Sequence, residues 1–346
     1  MIPYLTAEAP WFTFLAHFRD LGDPERYGVA PFLRRYSRDE DDVRRKLASL
    51  DPLVAARITF RNSSATGELI CICRFPEQIM SGEGRRWVAE GVALAASRGT
   101  RVIGLGGLTA PATGGGLTLR DVVPRGVTLT NGNALTAAIV RDNVEEAATL
   151  VDAGRRAQVA IVGCTGSVGE AASHLVASAG FPLTLIGRSR SRVEKTFAGL
   201  GARASGDLRD ARNADIVVLL TSDATARFTP EHARAGAIVI DCAQPSNIPA
   251  YEYELFAAHG ISVVEGGLVR IPGYVCTGET TGVRGAAFAC LAETYLFSCS
   301  GIREHSIGRP SVQQALKMAR LAASRGITAF PIAPRCASRA ALEVCS

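Results

Sequence analysis

Apolar positions along the chain change rhythm near residue 154. Before that point helical and strand periodicities are mixed. Arg57-Ile58-Thr59-Phe60 and Glu68-Leu69-Ile70-Cys71-Ile72-Cys73 read as strands flanking a turn at residues 63–67. Residues 80–98 read as a helix, and Arg101-Val102-Ile103-Gly104-Leu105 as a short apolar strand that runs into Gly106-Gly107-Leu108-Thr109. Between Ala134 and Ala153, the residues Leu135, Ile139, Val144, Ala148 and Val151 recur at helical spacing and stop at Gly154. From Val159 onward, short apolar strands (159–162, 183–187, 216–220, 237–241, 262–265) alternate with helical stretches (167–179, 191–200). Near-continuous apolar runs of this kind belong to parallel sheets covered on both faces. The cadence therefore predicts an α/β fold, a Rossmann-type doubly wound parallel sheet with right-handed crossovers. The expected organisation is an N-terminal α/β domain (1–133), a linking helix with the Rossmann domain (134–276) and a C-terminal helical segment (277–346). The tail beyond Pro334 reads as loosely organised.

Composition narrows the class. With 346 residues, 47% hydrophobic and 21% charged, the chain has ample apolar surface for ordinary cores, which excludes disordered, collagen-like and coiled-coil architectures. No run approaches the roughly 18 apolar residues of a membrane helix. Met1-Ile2-Pro3-Tyr4-Leu5 lacks the basic-then-apolar pattern of a secretory leader, so a soluble, cytoplasmic protein is expected. The net charge of +5 is scattered, and groups such as Arg44-Arg45-Lys46 follow the acids of residues 39–42. That argues against nucleic-acid binding and leaves room for an acidic protein partner. Nine cysteines at irregular spacings indicate free thiols. Cys71 and Cys73 alternate on one strand, but no second pair follows at zinc-site spacing, so no metal is expected.

Candidate chemistry concentrates in two places. The first is Val159-Ala160-Ile161-Val162-Gly163-Cys164-Thr165-Gly166-Ser167-Val168-Gly169, three glycines following a buried strand and opening a helix. Gly163 permits a tight turn, Gly166 lets backbone approach a pyrophosphate, and Gly169 permits close helix–strand packing. The helix N-terminus at Thr165, Ser167 and Val168 adds free N–H groups for the phosphates. At the end of the next strand, where NAD-binding sheets place an acid, this chain has Gly187-Arg188-Ser189-Arg190. Two guanidiniums and a hydroxyl suit a 2′-phosphate and predict NADPH, with Arg188, Ser189 and Arg190 as its ligands. Thr221, and Gly266-Gly267 after the last strand, complete the expected cofactor site.

The second place is Gly285-Ala286-Ala287-Phe288-Ala289-Cys290-Leu291-Ala292-Glu293-Thr294. A helix from Gly285 would put Phe288, Leu291, Ala292 and Tyr295 on a core stripe and Cys290 off it, on the side of Glu293 and Phe297. Cys164 and Cys242 are explained by packing near the glycine loop, and on geometry alone Cys290 also fits a buried structural cysteine.

Phe288-Ala289-Cys290-Leu291-Ala292-Glu293 resembles a signature of the long-chain fatty acyl-[acyl-carrier-protein] reductases, the cyanobacterial-type, aldehyde-forming family. Collinear matches accompany it: Ala65-Thr66-Gly67, Phe75-Pro76-Glu77, Leu105 to Thr109, Gly132-Asn133 with Thr136-Ala137, Gly163 to Gly169, and Glu265-Gly266-Gly267. Two departures stand out. Leu135 replaces a family histidine, and the stretch from Gly266 to Cys290 is shorter and carries Cys276 to Thr281 in place of a longer acidic, aromatic segment. The resemblance implies that residues 1–133 form an acyl-substrate domain. It implies that Cys290 takes the acyl group from an acyl carrier protein thioester, or a coenzyme A thioester, and that NADPH reduces it to an aldehyde for a downstream aldehyde-consuming enzyme. Glu293 joins the site as a residue that orients a partner of the thiol, and His305, Arg309 or the N–H groups at Gly285 are candidate activators. Trp11-Phe12-Thr13-Phe14-Leu15 is a candidate acyl-tunnel lining. Two other readings fit the same glycine loop: a dehydrogenase of the shikimate or glutamyl-tRNA reductase kind, whose catalytic Lys or Cys would be Lys46, Cys71 or Cys73, and a non-catalytic NADPH-binding homologue.

Overall fold

A computed structural model describes residues 9–29, 33–221, 227–278 and 280–333, so the tail beyond Pro334 lies outside the described residues. The chain divides into two compact units. The first comprises residues 1–132, 270–308 and 321–328, and the second residues 133–269, 309–320 and 329–346. This differs from the expected three-part division. The segment carrying Cys290 is no separate C-terminal piece but part of the N-terminal unit, because its strand Tyr274–Cys276 pairs antiparallel with the edge of that unit's sheet.

The sheet of the first unit contains β1 (Phe12–His17), β2 (Leu53–Phe60), β3 (Ser63–Ile72), β4 (Val102–Leu105) and β5 (Thr128–Thr130). Its order is Tyr274–Cys276, β2, β3, β1, β4, β5. β3, β1, β4 and β5 run parallel, while β2 is antiparallel to β3. Central β1 is buried along its whole length. Phe12 to Leu15, offered as a tunnel lining, are core residues here, while Trp11 just before the strand is exposed. Phe12 packs edge-on to Tyr295 at 6.1 Å, and Leu15 joins a core with Ile70, Val88, Val92 and Ile103. The helix Gly84–Ser97 covers one face. The helix Ala289–Cys299 covers the other, and glycine at 104 lets it lie flush on β4, since a Cβ there would sit 2.0 Å from Thr294 Oγ1. This helix is buried around its whole circumference from Leu291 to Phe297, so the expected single core stripe is replaced by packing on all sides.

The second unit holds six parallel strands: β6 (Val159–Val162), β7 (Leu183–Ile186), β8 (Arg203–Ser205), β9 (Ile216–Leu219), β10 (Ile238–Asp241) and β11 (Ser262–Glu265). Their order is β8-β7-β6-β9-β10-β11. That is the 3-2-1-4-5-6 order of the Rossmann sheet that the cadence predicted; β8, the short edge strand at position 3, is the one strand the apolar pattern did not mark. The linking helix Asn133–Leu150 and the helix Ser167–Ser178 bury Ala137, Val140, Val144, Ala171, Leu175 and Val176 against one face.

Candidate functional site

In the Rossmann unit the chain builds outward from β6 in one direction and returns through β9. The crevice at the carboxyl ends of these two strands is where such sheets bind ligands. The glycine loop lies there. Gly163 has φ +84°, and a Cβ on it would meet the backbone of Leu220 and Thr221 at 2.9 Å. A Cβ on Gly169 would lie 2.3 Å from the Gly163 carbonyl oxygen. Gly166 is different: its Cβ would meet only loop and strand-end carbonyls, at 3.1 Å or more, so the backbone is bare on that side. It is also the N-cap of the helix Ser167–Ser178, which leaves the first amides of that helix directed at the same space. These features fit a pyrophosphate.

Around the loop, Asn133 Nδ2 donates to Ser167 Oγ (2.7 Å), and Arg309 Nη1 donates to the Thr165 carbonyl (2.9 Å) and to Glu170 (2.6 Å). Arg309, a candidate activator of the thiol, is thus committed to bracing the loop. Val168 packs into the core beneath. At the end of β7, Ser189 caps the helix Arg190–Thr196 through Arg192 N–H, and Arg190 pairs with Glu194 at 2.8 Å. Arg188 is exposed and makes no ion pair among the described residues, which leaves it the guanidinium free to take a 2′-phosphate. Thr221 is half-buried after β9. Gly266 and Gly267 are explained by packing: a Cβ on Gly266 would meet Cys242 Sγ at 2.4 Å, and Gly267 N–H donates to buried Asn143 at 3.0 Å.

In the first unit, Cys290 is the second residue of the helix Ala289–Cys299, which starts four residues later than expected because residues 286–288 form a strand. Extended Phe288 is the N-cap. The nearby amides of Leu291, Cys290 and Gly107, the last in the loop after β4, draw the thiol pKa down, and the helix begins at Ala289 and not at Gly285. All three favour the thiolate. Burial acts the other way and dominates, and the Glu293 charge adds to it, so the thiol is pushed up to about 12.

Glu293 is fully buried. Its Oε1 accepts from Thr130 Oγ1 at 2.5 Å and from Ser306 Oγ at 3.2 Å, while Gly132 N–H donates to Thr130 Oγ1 at 3.1 Å. The carboxylate thereby pins the 130–132 turn, which packs on Cys290. His305 accepts from Leu129 N–H through Nδ1 at 3.0 Å and holds β5. Cys71 and Cys73 are sealed in the core, with the Cys71 thiol pushed well up by burial, and Cys164 is likewise pushed up to about 12. Lys46 is paired with Asp42 on an outer helix. Among the described residues no cluster of three or more His, Cys, Asp or Glu is placed to hold a metal, and no helix is long and apolar enough to cross a membrane.

Residue-level reading missed Gly107, Gly132 and the true role of Arg309. The first two stood in stretches matched to the family resemblance without a role at the thiol, and they have no spacing relation to residue 290.

The raised thiols make stability fall in alkali. An unfolded cysteine ionises near 8.5. The native Cys290 thiol keeps its proton to about 12, so its contribution is whole below about pH 8.5 and is lost as pH rises towards 12, by about 1.4 kcal/mol per pH unit. Urea denaturation from pH 8 to 11 is expected to show a shallower decline for Cys290→Ala than for the unchanged chain. Parallel declines would contradict this burial of the sulfur.

No family model matches the chain. Among curated proteins it is similar to aminotransferase PigE of Serratia sp. (strain ATCC 39006), with 25% identity over 343 residues. That match takes in 93% of this chain but spans only 40% of the relative's length. Solved structures with partial likeness include L-tryptophan dehydrogenase from Nostoc punctiforme, with TM-score 0.40 and 13% identity over 73% of this chain and 69% of that one. Another is the dipicolinate synthase A chain from Bacillus subtilis, with TM-score 0.37 and 14% identity over 69% and 70%. The YhdH oxidoreductase of Salmonella enterica in complex with NADP gives TM-score 0.30 and 15% identity over 39% and 43%. At these scores the fold assignment rests on this chain's own strand order.

Proposed function

We propose that this chain is an NADPH-dependent oxidoreductase that reduces an acyl thioester to an aldehyde through an acyl-Cys290 intermediate. The observation that carries the reading is the place of Cys290, in the first turn of the helix Ala289–Cys299 and packed against the Gly132 turn that follows β5. A helix start favours a thiolate and, after attack, the oxyanion of a tetrahedral adduct. In the forward step Cys290 Sγ bonds to the acyl carbon, the carrier C–S bond breaks, and the cysteine proton ends on the departing thiol. No permanent base is then required, which suits a sulfur whose neighbours are amides and a committed carboxylate. Bound NADPH supplies the hydride that reduces the acyl carbon. The resulting tetrahedral hemithioacetal anion on Cys290 then breaks its C–S bond, releasing the aldehyde and a thiolate that takes one proton from solvent to restore the thiol. Covalent capture makes the reducing step effectively intramolecular.

The glycine loop and Arg188 would hold the cofactor. Arg188→Ala is expected to weaken NADPH binding by about tenfold or more and leave NADH binding unchanged, as loss of a charge-assisted bond to phosphate would. Fluorescence titration with the two nucleotides checks this, and an equal effect on both would remove Arg188 from the phosphate site. The donor is an acyl thioester of acyl carrier protein or of coenzyme A, both anionic and both suited to a positive net charge. The relative's aminotransferase name is not carried over, because Lys46, Lys195 and Lys317 all reach solvent and none is set in a pocket as a Schiff-base lysine requires. An aldehyde is nonetheless a carbonyl that an amine-forming enzyme consumes. The sealed Cys71 and Cys73 weigh against the glutamyl-tRNA reductase-like reading.

The decisive test incubates the protein with acyl carrier protein thioester in the absence of NADPH and maps the acyl group by peptide mass spectrometry. Acyl mass on the Cys290 peptide supports the proposal. Intact NADPH binding with no acylation would leave a cofactor-binding protein without this chemistry.

A further inference from the structure

Cys290 and the glycine loop both sit by the carboxyl ends of strands. A cavity of about 380 Å³ opens at the other end of the first unit's sheet, beside the amino ends of β1 and β4. Part of its lining is apolar, with Pro10 and Val102 buried there. Trp11, exposed just before β1, lines one side, and no guanidinium stacks on its ring among the described residues. Gly99, with φ +80°, closes the wall against Ala9, where a Cβ would come within 3.0 Å of the Ala9 Cβ. Ser298 reaches the cavity from the last turn of the helix Ala289–Cys299, about 12 Å along the helix axis from Cys290.

The cavity's charge is all of one sign. Arg101 and Arg303 both line it, and neither makes an ion pair among the described residues. Other arginines of this unit are matched by acids: Arg19 and Arg26 by Asp23, Arg98 by Glu68. The closeness of the unmatched pair is built in. Thr128, buried at the start of β5, donates its N–H to the Arg101 carbonyl at 2.8 Å and its hydroxyl to the Arg303 carbonyl at 3.2 Å. One residue thus fixes the backbones of two arginines far apart in the chain. Like charges held together repel, and an anion between them removes that cost. Ser298 Oγ donates to the Tyr295 carbonyl at 2.7 Å, so what it offers a ligand is an acceptor.

We propose that this cavity binds a nucleoside monophosphate, with its phosphate on Arg101 and Arg303, its base against the Trp11 ring and a nucleoside N–H or O–H on Ser298 Oγ. A phosphate dianion matches both guanidiniums, whereas a single carboxylate would leave one uncompensated. An exposed aromatic face is a platform for any base. The volume lies near the lower end of the range for small-molecule sites, about 300–1,000 Å³, which suits a mononucleotide and not a dinucleotide. The glycine loop belongs to the other unit, so this site is independent of the one for NADPH and of the chemistry at Cys290.

The test uses the full chain with Trp87→Phe, which leaves Trp11 as the only tryptophan and its emission as the readout. Adenosine monophosphate is titrated in the presence of saturating NADP⁺, which occupies the glycine loop. A saturable change in Trp11 emission is expected, with affinity about tenfold weaker in Arg101→Ala and in Arg303→Ala. Adenosine, lacking the phosphate, should bind at least about tenfold more weakly, and inorganic phosphate should displace the nucleotide and reverse the emission change. Thermal melts and NADP⁺ affinity serve as fold controls. Should Arg101→Ala fail to fold, Arg303→Ala and the displacement by phosphate carry the same expectations. The absence of a saturable change would overturn the proposal, as would equal affinity in folded Arg101→Ala/Arg303→Ala. Inorganic phosphate binding as tightly as the nucleotide would overturn it too, since the base would then have no part in recognition.

Discussion

Replacing Cys290 by alanine is expected to abolish both acylation and aldehyde formation, with turnover falling by at least about 10³-fold. NADPH affinity should stay within about twofold, because the glycine loop, Arg188 and the Arg309 brace all lie in the other structural unit. Serine at 290 is a sharper variant. It keeps the N–H contacts and nearly the same volume, yet an alcohol buried among these neighbours is a far weaker nucleophile than a thiol, so its activity should also be near zero. Single-turnover aldehyde release measured by gas chromatography, with nucleotide binding alongside, separates the outcomes. Appreciable aldehyde from Cys290→Ala would mean direct reduction of the donor thioester and would sink the covalent route.

The second large effect is expected at Gly132. Its φ is +70°, and a Cβ there would lie 2.2 Å from the Cβ and 2.3 Å from the Cα of Cys290. Gly132→Ala therefore carries two penalties, backbone strain and a clash that only displacement of the nucleophile's own backbone relieves. Displacement by about 1 Å at a reacting centre lowers rates by about 10²-fold. The turn cannot yield easily, since Gly132 N–H, Thr130 and the fully buried Glu293 form one hydrogen-bonded chain. We expect acylation of Cys290 to fall about 100-fold and the melting temperature to drop by a few degrees, with NADPH affinity retained. Stopped-flow release of the carrier thiol and thermal melts check this. A near-normal acylation rate in a folded variant would show that the turn does not define the nucleophile's place.

Both effects trace to how the first unit brings remote loops together. The turn after β5 supplies Gly132, and the helix Ala289–Cys299 supplies the thiol. Ser306, which braces Glu293 from a later loop, completes the set. Parallel strands put their carboxyl ends at one edge of the sheet, which is why residues far apart in the chain meet there.

The amino-acid sequence by itself determined the Rossmann unit and its nucleotide loop. A buried strand followed by three glycines at fixed spacing is a local arrangement, and short-range sterics decide it: Gly169 has to pass the Gly163 carbonyl within one helical turn. The sequence offered Arg188, Ser189 and Arg190 alike, and only the structure commits Ser189 to a helix cap and Arg190 to Glu194. Only the tertiary structure decided the surroundings of Cys290. The desolvation of the thiol, the bracing part played by Glu293, the packing of Gly132 on Cys290 and the departure of Arg309 to the glycine loop all depend on contacts between segments far apart in the chain. No periodicity records such contacts, because they arise from the sheet's strand order and not from the spacing of side chains along one element.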